Sequence, residues 1–282
     1  MKILHLSDTH GQHKNLRSLP EADVIVHSGD FTFAGSEEEA YDFMNWFCNL
    51  PYEHKVFIAG NHDMCMYGAD PIGGLSKNVH YLNSNSVVID GMKFYGIPMF
   101  MEDCMDGKLD MLIQNIPDDI DVLVTHMPPK GICDIADYGK GPEHRGNAAL
   151  AEHLKVLHPT CHLFGHEHDA YGTATIGNVI YSNACVVDSR YNLINNPTII
   201  NKKKLTTKEL RELGFDYVAL GHIHKPDYVG KNIVYPGSPI SLGFDELGDK
   251  GFIAGNIDDE NKELKLKFIK TSAKTFAEYS LD

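Results

Sequence analysis

Lys55-Val56-Phe57-Ile58-Ala59-Gly60-Asn61-His62-Asp63 is the stretch whose reading decides the fold of this chain. Its first five residues form a short apolar run of the kind that makes a buried strand, and Gly60 releases that strand into polar residues. A buried strand that ends in Asn, His and Asp presents chemistry at its tip. The event recurs along the first 170 residues. Ile3 to Ser7 runs into Asp8-Thr9-His10, Val24 to Ser28 into Gly29-Asp30, Val122 to Thr125 into His126, and His162 to Phe164 into Gly165-His166-Glu167-His168. A single strand followed by an aspartate is an ordinary turn signal. Five in this order deliver Asp8, His10, Asp30, Asn61, His126, His166 and His168 as ligand candidates to one edge, with His62 beside them.

The 282 residues and 31.5 kDa suffice for one large α/β domain, or for a medium domain with an appendage. No run of about 18 apolar residues offers a membrane span. Met1 leads straight into a strand, without the basic, apolar and cleavage segments of a secretory leader, so the expected location is cytoplasmic. Six cysteines lie scattered with no C-x-x-C pair, which indicates neither a zinc knuckle nor a disulfide framework. Cys65, two residues past the central motif, is close enough in sequence to be weighed as a metal neighbour.

The net charge of -14 is unevenly placed. Residues 1 to 200 hold 12 Lys+Arg against 26 Asp+Glu, and residues 201 to 282 hold 13 against 13. Such acidity repels a long polyanion and favours a small phosphate-containing partner over nucleic acid.

Between the strand tips, Gln12 to Leu19 is a polar connection with helical potential. Ser36 is a helix N-cap followed by acidic residues, and Tyr41, Phe43, Met44, Trp46 and Phe47 lie at helical spacing, read as a core face rather than a base-stacking platform. Asp90-Gly91 joins Ser86 to Ile89 and Lys93 to Ile97 as a hairpin. Residues 98 to 121 read as Met-rich and irregular, and 130 to 146 as a long loop in which His144 and Arg145 are candidates for a substrate phosphate. Asn147 to Leu157 reads as a helix. After a strand near Thr198, the chain repeats a unit: a helix over Thr207 to Leu213, a strand over Phe215 to Leu220, then Gly221-His222-Ile223-His224, 56 residues after its counterpart. Strands at Asn232 to Gly237, Gly251 to Ile257 and Leu264 to Ile269 complete it. No second Asp-x-His, Gly-Asp or Gly-Asn-His-Asp accompanies this copy, so His222 and His224 lack the carboxylates of a second dinuclear site.

Asp8-x-His10, Gly29-Asp30, Gly60-Asn61-His62-Asp63, His126 and Gly165-His166-x-His168, in that order, resemble the calcineurin-like metallophosphoesterase superfamily over residues 1 to about 200. Val124 to Pro129 and His162 to Pro197 resemble the small metallophosphoesterase-domain-containing proteins. Residues 205 to about 275 resemble the C-terminal part of the phosphoesterase domain of the SbcD nuclease subunit, through Gly214 to Pro226 and Tyr235 to Pro239. The resemblance implies a four-layered α/β/β/α sandwich over 1–200, with an appended α+β segment over 201–282 that repeats its last strand-helix unit.

It also implies chemistry. Phosphate esters repel anionic nucleophiles, and two divalent cations overcome this by generating hydroxide and neutralising developing charge. A carboxylate has two oxygens, which makes Asp30 the natural bridge. By resemblance Asp8, His10, Asp30 and His168 hold one ion, and Asp30, Asn61, His126 and His166 the other. Mixed N/O ligation suits Mn, Fe, Zn or Ni better than Ca, with Mn the first expectation. His62 is assigned to acid catalysis, with Asp63 orienting its ring, and Glu167 is expected to face away. The expectation is a metal-dependent phosphodiesterase. Its rivals are a DNA or RNA nuclease related to SbcD, and a non-catalytic metal-binding scaffold, with residues 201–282 offered to a partner or a second copy.

Overall fold

The computed structural model describes residues 1–17, 19–69, 71–201, 211, 216–220, 226–237, 239, 249–257 and 264–271. The chain divides into two compact units, Met1–Lys203 and Lys204–Asp282.

In the first unit, β1 (Lys2–Leu6), β2 (Val24–His27), β3 (His54–Phe57) and β4 (Val79–Tyr81) lie side by side and parallel. Strand β13 (Thr198–Asn201) closes the edge antiparallel to β1. A second sheet holds β5 (Asn85–Ile89), β6 (Met92–Ile97), β7 (Val122–Thr125), β10 (Cys161–Phe164), β11 (Gly172–Ile176) and β12 (Val179–Asn183), in the order β11-β12-β10-β7-β6-β5. Its four central strands are parallel. A short pair, β8 (Ile135–Ala136) and β9 (Glu143–His144), stands apart.

Both faces of the parallel strands are buried, so alternate side chains enter different cores. Val24, Val26, Val56 and Ile58 pack with Phe94, Val122, Val124 and Leu163 of the second sheet. Leu4, Leu6, Ile25 and Phe57 face helix α1 (Glu37–Cys48) through Ala40, Phe43 and Phe47. On the far face of the second sheet, Ile97, Leu123 and Phe164 meet α3 (Lys108–Gln114) and α4 (Ala148–His153) through Leu109, Ile113 and Leu150. Helix α1 starts in a capping box: the Ser36 hydroxyl accepts from Glu39 N–H, and the Glu39 carboxylate accepts from Ser36 N–H. Phe43 and Phe47 are fully buried, whereas Tyr41 on the same helix is 67% exposed.

Several expectations are corrected. The Met-rich stretch is not irregular: α2 (Met101–Met105) and α3 form there without side-chain caps, the latter starting from Gly107 at φ 77°. The helical potential after Gln12 yields a single 3-10 turn, His13–Asn15. The 130–146 segment carries the β8–β9 pair, and α4 ends at His153, shorter than the predicted helix.

In the second unit, β14 (Val218–Ala219) runs parallel to β16 (Ile233–Tyr235), and β15 (Asp227–Tyr228) antiparallel to it. This is the arrangement of β10, β12 and β11 in the first unit, at the offset the repeat predicts. Strands β17 (Gly251–Ile257) and β18 (Leu264–Lys270) form a separate antiparallel pair. His222, His224 and most of the predicted 207–213 helix lie outside the described residues. Among the described residues no helix is long and apolar enough to cross a membrane.

Three strand histidines outside the strand tips are wholly buried: His5 between the hydroxyls of Ser182 and Ser28 (2.9 Å each), His27 against Thr9 (3.0 Å), and His162 against Thr125 (2.8 Å). Burial pushes each from 6.5 down to about 3. The unfolded chain binds more protons than the native one between these values, so the stability they contribute is complete above pH 6.5 and is lost as pH falls toward 3. Each should withdraw about 1.4 kcal/mol per pH unit in that window. Urea unfolding midpoints measured from pH 7 to 4 should fall steeply. A flat profile down to pH 4 would show these imidazoles already charged in the fold.

Candidate metal centre

Every proposed ligand follows the C-terminal end of a parallel strand: Asp8 and His10 after β1, Asp30 after β2, Asn61 after β3, His126 after β7, and His166 and His168 after β10. The two sheets meet at this edge, where Ser7 pairs with Cys185. Asp8 (φ 56°), His10 (φ 41°), Asp30 (φ 56°) and His166 (φ 69°) all adopt the left-handed conformation. Such backbone costs on the order of 1–2 kcal/mol per residue, and its concentration in four ligands marks a site held by its surroundings. Two glycines permit the close approach. A Cβ on Gly60 would lie 2.2 Å from Asp30 Oδ1, and one on Gly165 would lie 2.0 Å from Asp8 Oδ2.

The ligand atoms form two groups. In one, His10 Nε2 and His168 Nε2 are 3.3 Å apart, and Asp8 Oδ1 is 3.2 Å from His168 and 3.9 Å from His10. In the other, His126 Nε2 lies 3.0 Å from Asn61 Oδ1 and 3.3 Å from His166 Nδ1. Asp30 Oδ2 joins them, 3.7 Å from His10 Nε2 and 3.3 Å from His126 Nε2. Donors bound 2.0–2.2 Å from one ion stand about 3.0–3.6 Å apart, so both groups fit a divalent cation. The shared atom is one oxygen, not two. Asp30 Oδ1 is occupied by the backbone N–H of His62 at 2.8 Å.

Hydrogen bonds behind the ligands aim them. His10, His126 and His168 each turn Nδ1 to a backbone carbonyl, of Thr32 (3.1 Å), Ser28 (2.9 Å) and Asp188 (3.0 Å), which leaves Nε2 for the centre. Asp8 Oδ2 accepts from the Cys185 thiol and from His166 N–H, both at 3.0 Å; His166 N–H also reaches Oδ1 at 3.2 Å, the oxygen that lies beside His168.

Charge balance points to cations. Burial opposes the charge on Asp8, yet the His168 hydrogen bond and the surrounding imidazoles hold its carboxyl well below the usual range. Against the same burial penalty, His126 holds Asp30 at about 2. Burial pushes His10 and His166 down to about 4. Burial would lower His126 too, but the Asp30 and Asp8 charges raise it to about 10, and Asp8 likewise raises His168. The two carboxylates thus favour positive charge in each ligand group, which a divalent ion would supply.

His62 lies next to both groups, its ring 4.7 Å from that of His10, with a nitrogen within 4.8 Å of the His10 and Asp30 ligand atoms. The expectation that Asp63 orients this ring is corrected: His62 Nδ1 donates to the Phe33 carbonyl at 2.8 Å. Asp63 instead accepts from the backbone N–H groups of Asp30, Thr32 and Gly60 (2.8 Å each), from Phe31 N–H (3.3 Å) and from the Thr32 hydroxyl (2.9 Å). It therefore holds the Asp30 loop. Burial beside the charged Asp30 pushes its carboxyl up to about 7.

Glu167 is buried outside the ligand groups, accepting from Tyr138 Oη at 2.8 Å. His144 pairs with buried Asp134 (2.7 Å), and Arg145 pairs with Glu143 (3.4 Å) over the Tyr138 ring, so neither is committed to a phosphate. Cys65 donates to the Ser36 carbonyl and belongs to none of the ligand groups. The cleft above the centre, about 150 Å³, is lined by Asp30, Asn61, His62, His166 and His168, and by four residues that sequence reasoning did not single out: Tyr138, Asp169, Ser189 and Tyr191.

A family model described as calcineurin-like phosphoesterase matches residues 1–170. The chain belongs to the calcineurin-like phosphoesterase family. The family's members are hydrolases acting on phosphoric esters and use divalent metals. Among its relatives, UPF0046 protein K07C11.7 of Caenorhabditis elegans is 30% identical over 229 residues, which is 73% of this chain and 77% of the relative. Metallophosphoesterase domain-containing protein 1 of Homo sapiens is 30% identical over 235 residues, 71% of this chain and 70% of the relative. UPF0046 protein C25E10.12 of C. elegans is 31% identical over 229 residues, 71% and 80% respectively.

Because a Cβ at 165 would strike Asp8 Oδ2, Gly165→Ala should weaken Mn²⁺ binding at least about ten-fold in a calorimetric titration while far-UV circular dichroism is retained. Unchanged affinity would mean that Asp8 is not a ligand.

Proposed function

We propose that the chain hydrolyses phosphodiesters, with His62 as general acid. The observation that carries this reading is the single oxygen of Asp30 placed between two ligand groups, with the His62 ring at their margin. In this reading Asp8, His10, Asp30 and His168 hold one divalent ion and Asp30, Asn61, His126 and His166 the other. Their imidazole, amide and carboxylate donors suit Mn²⁺ first, then Fe, Zn or Ni. Bound together, two such ions supply an activated water and charge neutralisation for the phosphoryl group.

The protein's own contribution is geometry and a proton. Phe33 fixes the His62 ring through Nδ1, so Nε2 points to the cleft that His62 lines. As an imidazolium, His62 gives the Nε2 proton to the departing alkoxide and keeps Nδ1–H on the Phe33 carbonyl. Asp63 maintains this arrangement indirectly: the Thr32 hydroxyl bridges the His62 carbonyl (2.8 Å) and the Asp63 carboxylate. A diester is favoured over a monoester because, among the described residues, no Lys or Arg lines the cleft to meet a second negative charge. A small ester is favoured over nucleic acid on the same ground and on the acidity of residues 1–200. We assign the chemistry to residues 1–200, leave 201–282 as an interaction element, and place the protein in the cytoplasm, consistent with six free cysteines.

Metal-stripped protein resupplied with Mn²⁺ should hydrolyse bis-p-nitrophenyl phosphate, and His62→Asn should lower kcat by about 10²-fold or more with metal content unchanged. A fully metallated wild type that leaves the diester intact would favour a binding scaffold.

A further inference from the structure

The inner site accounts for the phosphoryl group but not for the cleft's outer wall. That wall is Tyr138, Asp169, Ser189 and Tyr191. Tyr191 is held there against its own backbone preference, at φ 61°. Its N–H donates to the Asp188 carbonyl (2.8 Å), the carbonyl that also receives His168 Nδ1. The Asp188 carboxylate gathers the N–H groups of Arg190 (2.9 Å) and Asn192 (2.8 Å), and Gln12 donates to the Tyr191 carbonyl. One turn therefore aims a metal ligand and sets an aromatic ring over the centre. The Tyr191 ring stands 4.8 Å from His10, 5.6 Å from His168 and 5.1 Å from Phe33.

The cleft is also lined by Tyr138, fixed by its bond to Glu167 and still 60% exposed. Its ring already accepts one cation, the Arg145 guanidinium at 5.2 Å, whose charge is answered by Glu143. Asp169 is exposed and makes no hydrogen bond or ion pair among the described residues, and it is the only acidic residue lining the cleft apart from the ligand Asp30. Two divalent ions held by the ligand groups would outweigh the carboxylates of Asp8 and Asp30 and favour the phosphoryl group there. Beside the ligands the sign reverses: two π faces and an unpaired carboxylate favour positive charge.

We propose that this outer wall binds a cationic alcohol group of the ester, a quaternary or primary ammonium held between the rings of Tyr138 and Tyr191 and the carboxylate of Asp169. The inference rests on the phosphodiesterase reading and adds its substrate class, a phosphodiester of an amino alcohol. Such an ester carries one negative charge on its phosphoryl group and one positive charge on the amino alcohol, matched in order by the inner centre and the outer wall.

Three p-nitrophenyl esters with one leaving group test it on the Mn²⁺-loaded full chain: the phosphocholine ester, its uncharged isostere with a 3,3-dimethylbutyl group, and the thymidine 5′-phosphate ester. The choline ester should exceed the isostere at least ten-fold in kcat/KM, and Asp169→Asn should bring the ratio to two-fold or less. Phosphocholine and 3,3-dimethylbutyl phosphate binding, followed by calorimetry, should show the same preference without turnover. A ratio near one in wild type, or one unchanged in Asp169→Asn, overturns the proposal. Preference for the thymidine ester overturns it in favour of a flat base between the tyrosines. If no ester is hydrolysed but the binding preference persists and falls in Asp169→Asn, the hydrolase reading fails and the cation site stands.

Discussion

Two carboxylates, Asp8 and Asp30, are buried together, at 0% and 2% exposure, and the rest of the structure depends on that pair. Charges removed from water at such close quarters are tolerated only when opposite charge and hydrogen bonds meet them. Here the answer comes from four imidazoles, an amide and backbone N–H groups, gathered from both sheets at one edge. The left-handed backbone at four ligands and the glycines at 60 and 165 are local concessions to that convergence. The apolar cores on both faces of the sheets supply the rigidity that keeps those concessions in place. Divalent cations held there would meet both charges at once.

The strand tips were legible because two signals coincide at them: a buried β-branched run, readable from side-chain type, and a polar release just after it. Gly29, Gly60 and Gly165 could be seen as punctuation, although only the structure shows that a Cβ at each would strike a ligand or the backbone beside one. The ligand set was legible mainly as a family resemblance, since no single Asp-x-His specifies a metal. The internal repeat was also visible, as offsets of 54 and 56 residues, and it reappears as the same three-strand arrangement in β14, β15 and β16.

What the sequence concealed is contact between distant segments. Cys185 meets Asp8 across 177 positions, and Tyr191 reaches His10 from the far end of the first unit. No local pattern announces either. Asp63 adjoins His62 in sequence, which made a direct partnership plausible, but the turn after Gly60 sends its carboxylate back to the Asp30 loop. Helices α2 and α3 escaped notice because neither begins with a side-chain cap, and their methionines stay exposed, 78% for Met105 and 62% for Met111, so the amphipathic pattern is blurred.

In the proposed phosphodiesterase one oxygen of Asp30 would be shared by two cations. Crystals of the Mn²⁺-loaded protein, with diffraction collected at the manganese edge, test it most directly. Two anomalous peaks about 3.5–4 Å apart, one on each side of Asp30 Oδ2, are expected. A single peak, or two peaks that do not share Asp30, would contradict it.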